Sequence, residues 1–358
     1  MGEVERWTAR ILPVDEAART AAGRLLDGKT KPRRSLGRLE DLASQVAAVR
    51  RSTSVPALSK AIVVMGADHG VAEEGVSAYP QEVTAQMLAN FASGGAAINV
   101  LARHAGARLL VVDMGVKHAV PGLVGASPDL ELRVNPLGPG TDNFTRGPAM
   151  TRAQAEAAIG FGAALAAELA AAGIGLLGIG EMGIGNTTAS AALTACFCGA
   201  PPEEVVGRGT GVDDEGLRRK ISAVQRGLAR NQPDRADPLG ALAAVGGFEI
   251  AGLAGVVLGA ASAGVVVLVD GFIASVAALA AVRLAPAAVG YLVGSHRSVE
   301  VGHRLVLQAL ATKPLLDLDL RLGEGTGAAL AMPLVDASLR ILAEMATFEA
   351  AGVSDSGA

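Results

Sequence analysis

Five short apolar runs alternate with helix-length segments, and each run ends in a loop carrying glycine or a polar residue. The runs are "AIVVMG" (61–66), "ARLLVVDMGV" (107–116), "IGLLGIGEMG", "VVVLVDGF" and "VGYLVGSHRS". Continuous apolar strands are buried on both faces, and intervening helices of this length suit parallel pairing. The expected fold is α/β, a parallel sheet covered by helices. Ligands in such sheets lie outside the carboxyl ends of the strands. The loops "ADHG", "DMGV", "GEMGIGNTT", "VDGF" and "GSHRS" should therefore meet on one sheet edge.

Composition narrows the function classes. The 358 residues carry a formal charge of -4 with no basic block, which argues against a nucleic-acid partner. Two cysteines, Cys196 and Cys198, cannot build a disulfide framework, and this suits a reducing cytoplasm. The opening "MGEVERWTARIL" has acidic residues where a signal peptide is basic and then apolar. The uncharged run from Ala251 to Val269 is long enough to span a bilayer, but glycines interrupt it. It reads better as a buried helix followed by a buried strand. Residues 1–60 read as amphipathic helices around a basic loop, "KTKPRRS".

Several loops can carry chemistry. In "GIGEMGIGNTT" the glycines let an anion approach a helix start, although a tight strand-to-helix turn explains them equally. Gly178, Gly180 and Gly183 satisfy a dinucleotide-type G-x-G-x-x-G spacing, a weak signal in a chain with 46 glycines. That spacing keeps a nucleotide-binding oxidoreductase as the alternative function, and a nucleotide-binding relative without catalysis as a third. Glu181 is awkward inside an anion loop unless a hydroxyl, cation or proton meets it. Asp68 and His69 are a structural or a catalytic pair, and the scattered histidines predict no metal site. Asp270 is a helix N-cap or a ribose-hydroxyl acceptor. Lys220 reads as a solvated helix face or a ligand group, and Ser298 as a cap or a phosphate ligand. In "RLGEGTGA", Thr326 is the expected N-cap. Glu324 is either a solvated residue at a helix start or part of a ligand loop.

Taken together and in order, these loops resemble one family, the nicotinate-nucleotide–dimethylbenzimidazole phosphoribosyltransferases of cobalamin lower-ligand biosynthesis. The resemblance rests on "SLGRLE", "GADHGVAEEGVSAYPQEVTAQM", "GGAAINVLA", "GEMGIGNTT", "NQPD", "VGGFEIAGLAG", "LVDGF", "SHRSVEVGH" and "LDLDLRLGEGTGAALAMPLVDA". It implies a Rossmann-like domain over 61–334 and a smaller helical lobe from both chain ends, 1–60 and 335–358. It implies transfer of phosphoribose from nicotinate mononucleotide to 5,6-dimethylbenzimidazole or a related base, giving α-ribazole 5'-phosphate and nicotinate. The implied enzyme is a cytoplasmic homodimer without cofactor or metal.

By position, the resemblance makes Glu324 the catalytic base. Glu181 binds substrate near the ribose or base, Gly183, Gly185 and Asn186 shape the nucleotide loop, and Asp270 lies near the reacting ribose. Lys220, Ser298 and Arg321 stand near the phosphate or the nicotinate carboxylate. Tyr79, Gln86, Met87 and Leu322 wall the benzimidazole slot. One departure touches the N-terminal loop: many members read "KPPGSLGRLE", where this chain has Arg33 and Arg34.

Overall fold

The computed structural model describes residues 2–118, 120 and 130–354. Six strands form one sheet: β1 (Ser59–Ala67), β2 (Arg108–Gly115), β3 (Leu130–Val134), β4 (Ile174–Met182), β5 (Val266–Val269) and β6 (Leu292–Gly294). Their order is β3-β2-β1-β4-β5-β6 and every pairing is parallel. This is the Rossmann order, with the reversal point between β1 and β4. The expected α/β class, parallel sheet and helical cover all hold.

The sequence reading missed β3. It is a five-residue edge strand whose polar residues are only partly buried, so it lacks the apolar run that marks the other five. Its charges are paired along the edge: Arg108 with Glu131, and Arg133 with Glu131 and Glu168. Charged edge strands of this kind resist pairing with other chains.

The glycine-broken run splits as expected, into the buried helix Phe248–Ser262 and β5. Its glycines have a packing reason. A Cβ on Gly255 would collide with the Ile159 carbonyl, and one on Gly259 with the Ala163 carbonyl. A Cβ on Gly162 would in turn collide with the Gly252 carbonyl. Helix Phe248–Ser262 thus lies backbone-to-backbone on the Ala-rich helix Arg152–Ala171. Among the described residues, one helix, Thr326–Glu344, passes a membrane-span test on length and apolarity, with mean hydropathy 1.3 and 56% of its window buried.

The two chain ends meet. Ala22, Leu26, Ala43, Ala47 and Leu342 form a small second core between helices Glu16–Asp27, Arg38–Arg50 and the end of Thr326–Glu344. Lys29 pairs with Thr347, and the Lys29 Nζ donates to the Met345 carbonyl at 2.6 Å. Arg34 takes a left-handed φ of 60°, a conformation that favours glycine, and its guanidinium pairs with Asp41. The loop therefore keeps a glycine-like turn without the glycine.

Candidate active site

The site grows from the carboxyl ends of β4, β5 and β6. β4 delivers Glu181 into the interior, where it is 6% exposed. Gly183 and Gly185 then turn the chain into helix Asn186–Cys198, with Gly185 at the N-cap and φ at 100°. The Asn186 side-chain amide donates to Glu181 Oε2. Burial holds the Glu181 carboxyl well above the usual range. The charges of Asp270, Glu249 and Glu324 add to the shift, while the Asn186 hydrogen bond opposes it.

Gly178 and Gly180 do not cradle a ligand. A Cβ on Gly180 would collide with the Gly325 amide, and one on Gly178 would press on Ala328 and Met332. Both glycines are spacers that let helix Thr326–Glu344 seat directly on β4. This removes the structural premise of the oxidoreductase alternative.

That seat holds Glu324. Gly323, Glu324 and Gly325 have φ of 78°, 61° and 83°, three left-handed residues in a row. A non-glycine residue there is strained by about 1–3 kcal/mol and needs surrounding contacts to hold it. Two contacts are visible. The Glu324 amide donates to the Glu181 carbonyl at 3.3 Å. Next, Asp270 accepts from the amides of Gly325 at 3.0 Å, Gly327 at 2.7 Å and Ala328 at 3.1 Å. Glu324 is only 4% exposed, and its Oε2 has no hydrogen-bond partner. Burial pushes its pKa up to about 7.

Asp270 is therefore an N-cap, but of a helix more than fifty residues away in sequence. Thr326, the expected cap, instead donates its hydroxyl to the Gly323 carbonyl at 2.8 Å. Burial pushes the Asp270 pKa up to about 7 against the three amide hydrogen bonds, and Glu324 adds to the rise. Replacing Asp270 with Ala should lower unfolding free energy by about 0.5–2 kcal/mol and slow turnover more than stability loss explains. Urea unfolding and kcat measured on one preparation check this. Unchanged kcat would show that the cap does not hold Glu324 in place.

Beside these carboxylates lies a cleft of about 290 Å³. Tyr79, Glu181, Gly183, Asn186, Ser298, Arg321 and Leu322 all line it, together with His296, Thr187 and Gly209. Lys220 reaches it from behind, donating to Thr187 Oγ1 at 2.9 Å. The solvated reading of Lys220 fails, because it is 1% exposed. Burial pushes its pKa down to about 8, with Glu300 opposing. Tyr79 and Leu322 are each 57% exposed on the rim. Gln86 and Met87 do not line this cleft. They sit on helix Val83–Ala92, whose Thr84 hydroxyl accepts from the Ile184 amide of the glycine loop. Gly185, Asp270 and Glu324 do not line it either, although Gly323, directly before Glu324, does. A larger cleft of about 580 Å³ opens around Thr141 and Arg146, and no residue singled out for the site lines it.

A phosphoribosyltransferase family model matches residues 11–353. The nicotinate-nucleotide–dimethylbenzimidazole phosphoribosyltransferase of Roseiflexus sp. (strain RS-1) is 54% identical over 354 residues, 99% of each chain. The chain belongs to this family. The Geobacter sulfurreducens protein of the same name is 52% identical over 350 residues, 97% of each chain. The crystal structure of the Thermus thermophilus enzyme matches with a TM-score of 0.87 at 48% identity, covering 95% of this chain and 99% of that one.

Within this family fold, Glu249 and His296 are buried groups to which the sequence assigned no role. Glu249, fully buried on helix Phe248–Ser262, pairs with His69 Nε2 at 2.7 Å. The His69 ring lies against Gly183 and its Cβ against Gly185, so the pair supports the glycine loop. The signal was a lone glutamate within "VGGFEIAGLAG", since charge in an apolar helix needs a partner. His296 is the second, 3.6 Å from Asp270 Oδ1 and packed on Gly327.

Proposed function

We propose that the chain transfers phosphoribose from nicotinate mononucleotide to 5,6-dimethylbenzimidazole or a related base. The products are α-ribazole 5'-phosphate and nicotinate, for assembly of the cobalamin nucleotide loop. One observation carries the mechanism: Glu324 holds a buried, unpartnered carboxylate oxygen whose pKa lies near 7 beside the cleft.

The chemistry asks for such a group. The free ring nitrogen of the benzimidazole attacks the anomeric carbon with inversion, forming one C–N bond. The C–N bond to nicotinate breaks, and its electron pair returns to the pyridine nitrogen. The attacking base's other N–H becomes acidic as the ring gains positive charge. Glu324 takes that proton, and a base with pKa near the operating pH is the better matched one. In this reading Glu181, on the cleft wall, opposes positive charge developing at the ribose, with Asp270 behind it near the reacting ribose. Lys220, Ser298 and Arg321 serve as the anion contacts, Gly183, Gly185 and Asn186 shape the nucleotide loop, and Tyr79, Gln86, Met87 and Leu322 wall the base slot.

The same reading takes the chain as a cytoplasmic homodimer that needs neither cofactor nor metal and binds no nucleic acid. It divides the chain into 61–334 and a lobe of 1–60 with 335–358, of which Met1 and 355–358 lie outside the described residues. The small core at Leu342 supports that lobe.

Purified protein given nicotinate mononucleotide and dimethylbenzimidazole should release nicotinate. Because the base must be ionised, kcat should climb as pH rises and level off above about 7. No nicotinate release would defeat the reading. A flat profile from pH 5 to 8 would remove Glu324 as the base.

A further inference from the structure

We propose that His303 is a positioning residue for substrate, holding the Ser298 backbone in the cleft through a hydrogen bond that fixes its own tautomer. The proposal rests on Ser298 contacting substrate.

The Ser298 amide donates to His303 Nδ1 at 3.0 Å, and His303 Nε2 pairs with Ser275 Oγ at 3.0 Å. An Nδ1 that accepts carries no proton, so a neutral ring must carry it on Nε2. Nε2–H then donates to the Ser275 hydroxyl. Ser275 lies on helix Phe272–Leu284, which begins just after cleft-lining Gly271. His303 opens helix His303–Ala309. One imidazole therefore ties the loop after β6 to the element that follows β5, and both flank the cleft.

The ring is 1% exposed, and its pKa is pushed down to about 3 by burial and by His296. Nδ1 thus stays an acceptor across the working pH range. Ser298 is itself 8% exposed, so its amide has no ready access to water in place of His303. A buried amide left unpaired is driven to move. The Ser298 hydroxyl is also placed by this turn, accepting from the Glu300 amide at 3.3 Å.

The test compares His303→Leu, which has no acceptor, with His303→Asn, whose side-chain oxygen can replace Nδ1. Each is assayed for KM toward nicotinate mononucleotide, for kcat, and for hydrogen exchange at the Ser298 amide. His303→Leu should raise KM about 10-fold with a smaller change in kcat, and should lose protection at that amide. His303→Asn should recover most of both. If His303→Leu does not fold, Ser275→Ala reads the same tie more gently, with KM raised about 3-fold. Ser298→Ala separates the two claims. A raised KM in Ser298→Ala with wild-type KM in the His303 and Ser275 variants overturns the positioning role alone. Wild-type KM in all of them overturns Ser298 as a substrate contact as well.

Discussion

Glu324→Gln slows turnover by about 10²–10⁴-fold, leaves nicotinate mononucleotide bound, and makes the folded protein more stable above pH 7. The first effect follows from losing the proton acceptor. The amide has nearly the carboxylate's shape, so the glycine-flanked seat and the Asp270 cap should persist. The third effect follows from the sign of the pKa shift. The folded carboxyl holds its proton to about 7, against an ordinary 4.5. Between those values the folded state binds more protons than the unfolded chain, so wild-type stability falls as pH rises through that window. Above it, the ionised, buried group is unfavourable by up to about 3 kcal/mol. Glutamine removes that penalty, so the variant's advantage appears above pH 7 and vanishes near pH 4. Urea unfolding at pH 8 and pH 4 gives the stability arm, and single-turnover assays give the chemical arm. Retained turnover would remove Glu324 from the mechanism. Unchanged stability at pH 8 would mean that burial does not raise the Glu324 pKa in the folded protein.

Gly180→Ala should be nearly as damaging, although residue 180 touches no substrate in this account. Its Cβ would meet the Gly325 amide and the Glu324 carbonyl carbon, backbone on both sides. Neither β4 nor the capped helix can yield easily, so overpacking should cost about 1–3 kcal/mol of stability. Displacement of Glu324 by an ångström should slow turnover by about 10²-fold. Gly178→Ala is the internal control. Its Cβ would meet Ala328, Ile62 and Met332 at 3.2 Å each, so these neighbours need give only a few tenths of an ångström, against the 2.1 Å backbone clash at Gly180. The two variants should therefore separate, with Gly178→Ala close to wild type in kcat. Equal kcat in both would make Gly180 a packing residue and nothing more.

The cluster of buried carboxylates explains why these variants should be informative. Glu181, Asp270 and Glu324 lie in the interior with their protons held more tightly than usual. Two basic groups near them, Lys220 and His69, are engaged with Thr187 and Glu249. The fold keeps this unfavourable arrangement where the reaction needs an anion beside a developing cation, a common trade of stability for function.

Much of this is legible in the amino-acid sequence. Five of the six strands announce themselves as apolar runs, because burial on both faces writes a continuous signal into the chain. The loops at their ends follow from parallel pairing alone. Arg321, Glu324 and the glycines beside it stand out because a charge among glycines lacks ordinary shielding. What the chain could not show was which distant partner completes each local feature. Asp270 read as a cap or a ligand, and only the fold brings it to the amides of Gly325, Gly327 and Ala328. Gly178 and Gly180 read as a tight turn or a weak dinucleotide-type match, and the fold shows a helix from the far end of the chain filling the space beside them. Lys220 read as a solvated face or a ligand group, because helical periodicity reports a face, and not what later packs on that face. His303 read as one scattered histidine among several. The sequence determined the layers, the strand edge and the candidate carboxylate, since these depend on local pattern. Tertiary structure decided the caps, the spacers and the burial that sets proton affinity, since these depend on contacts between residues far apart in the chain.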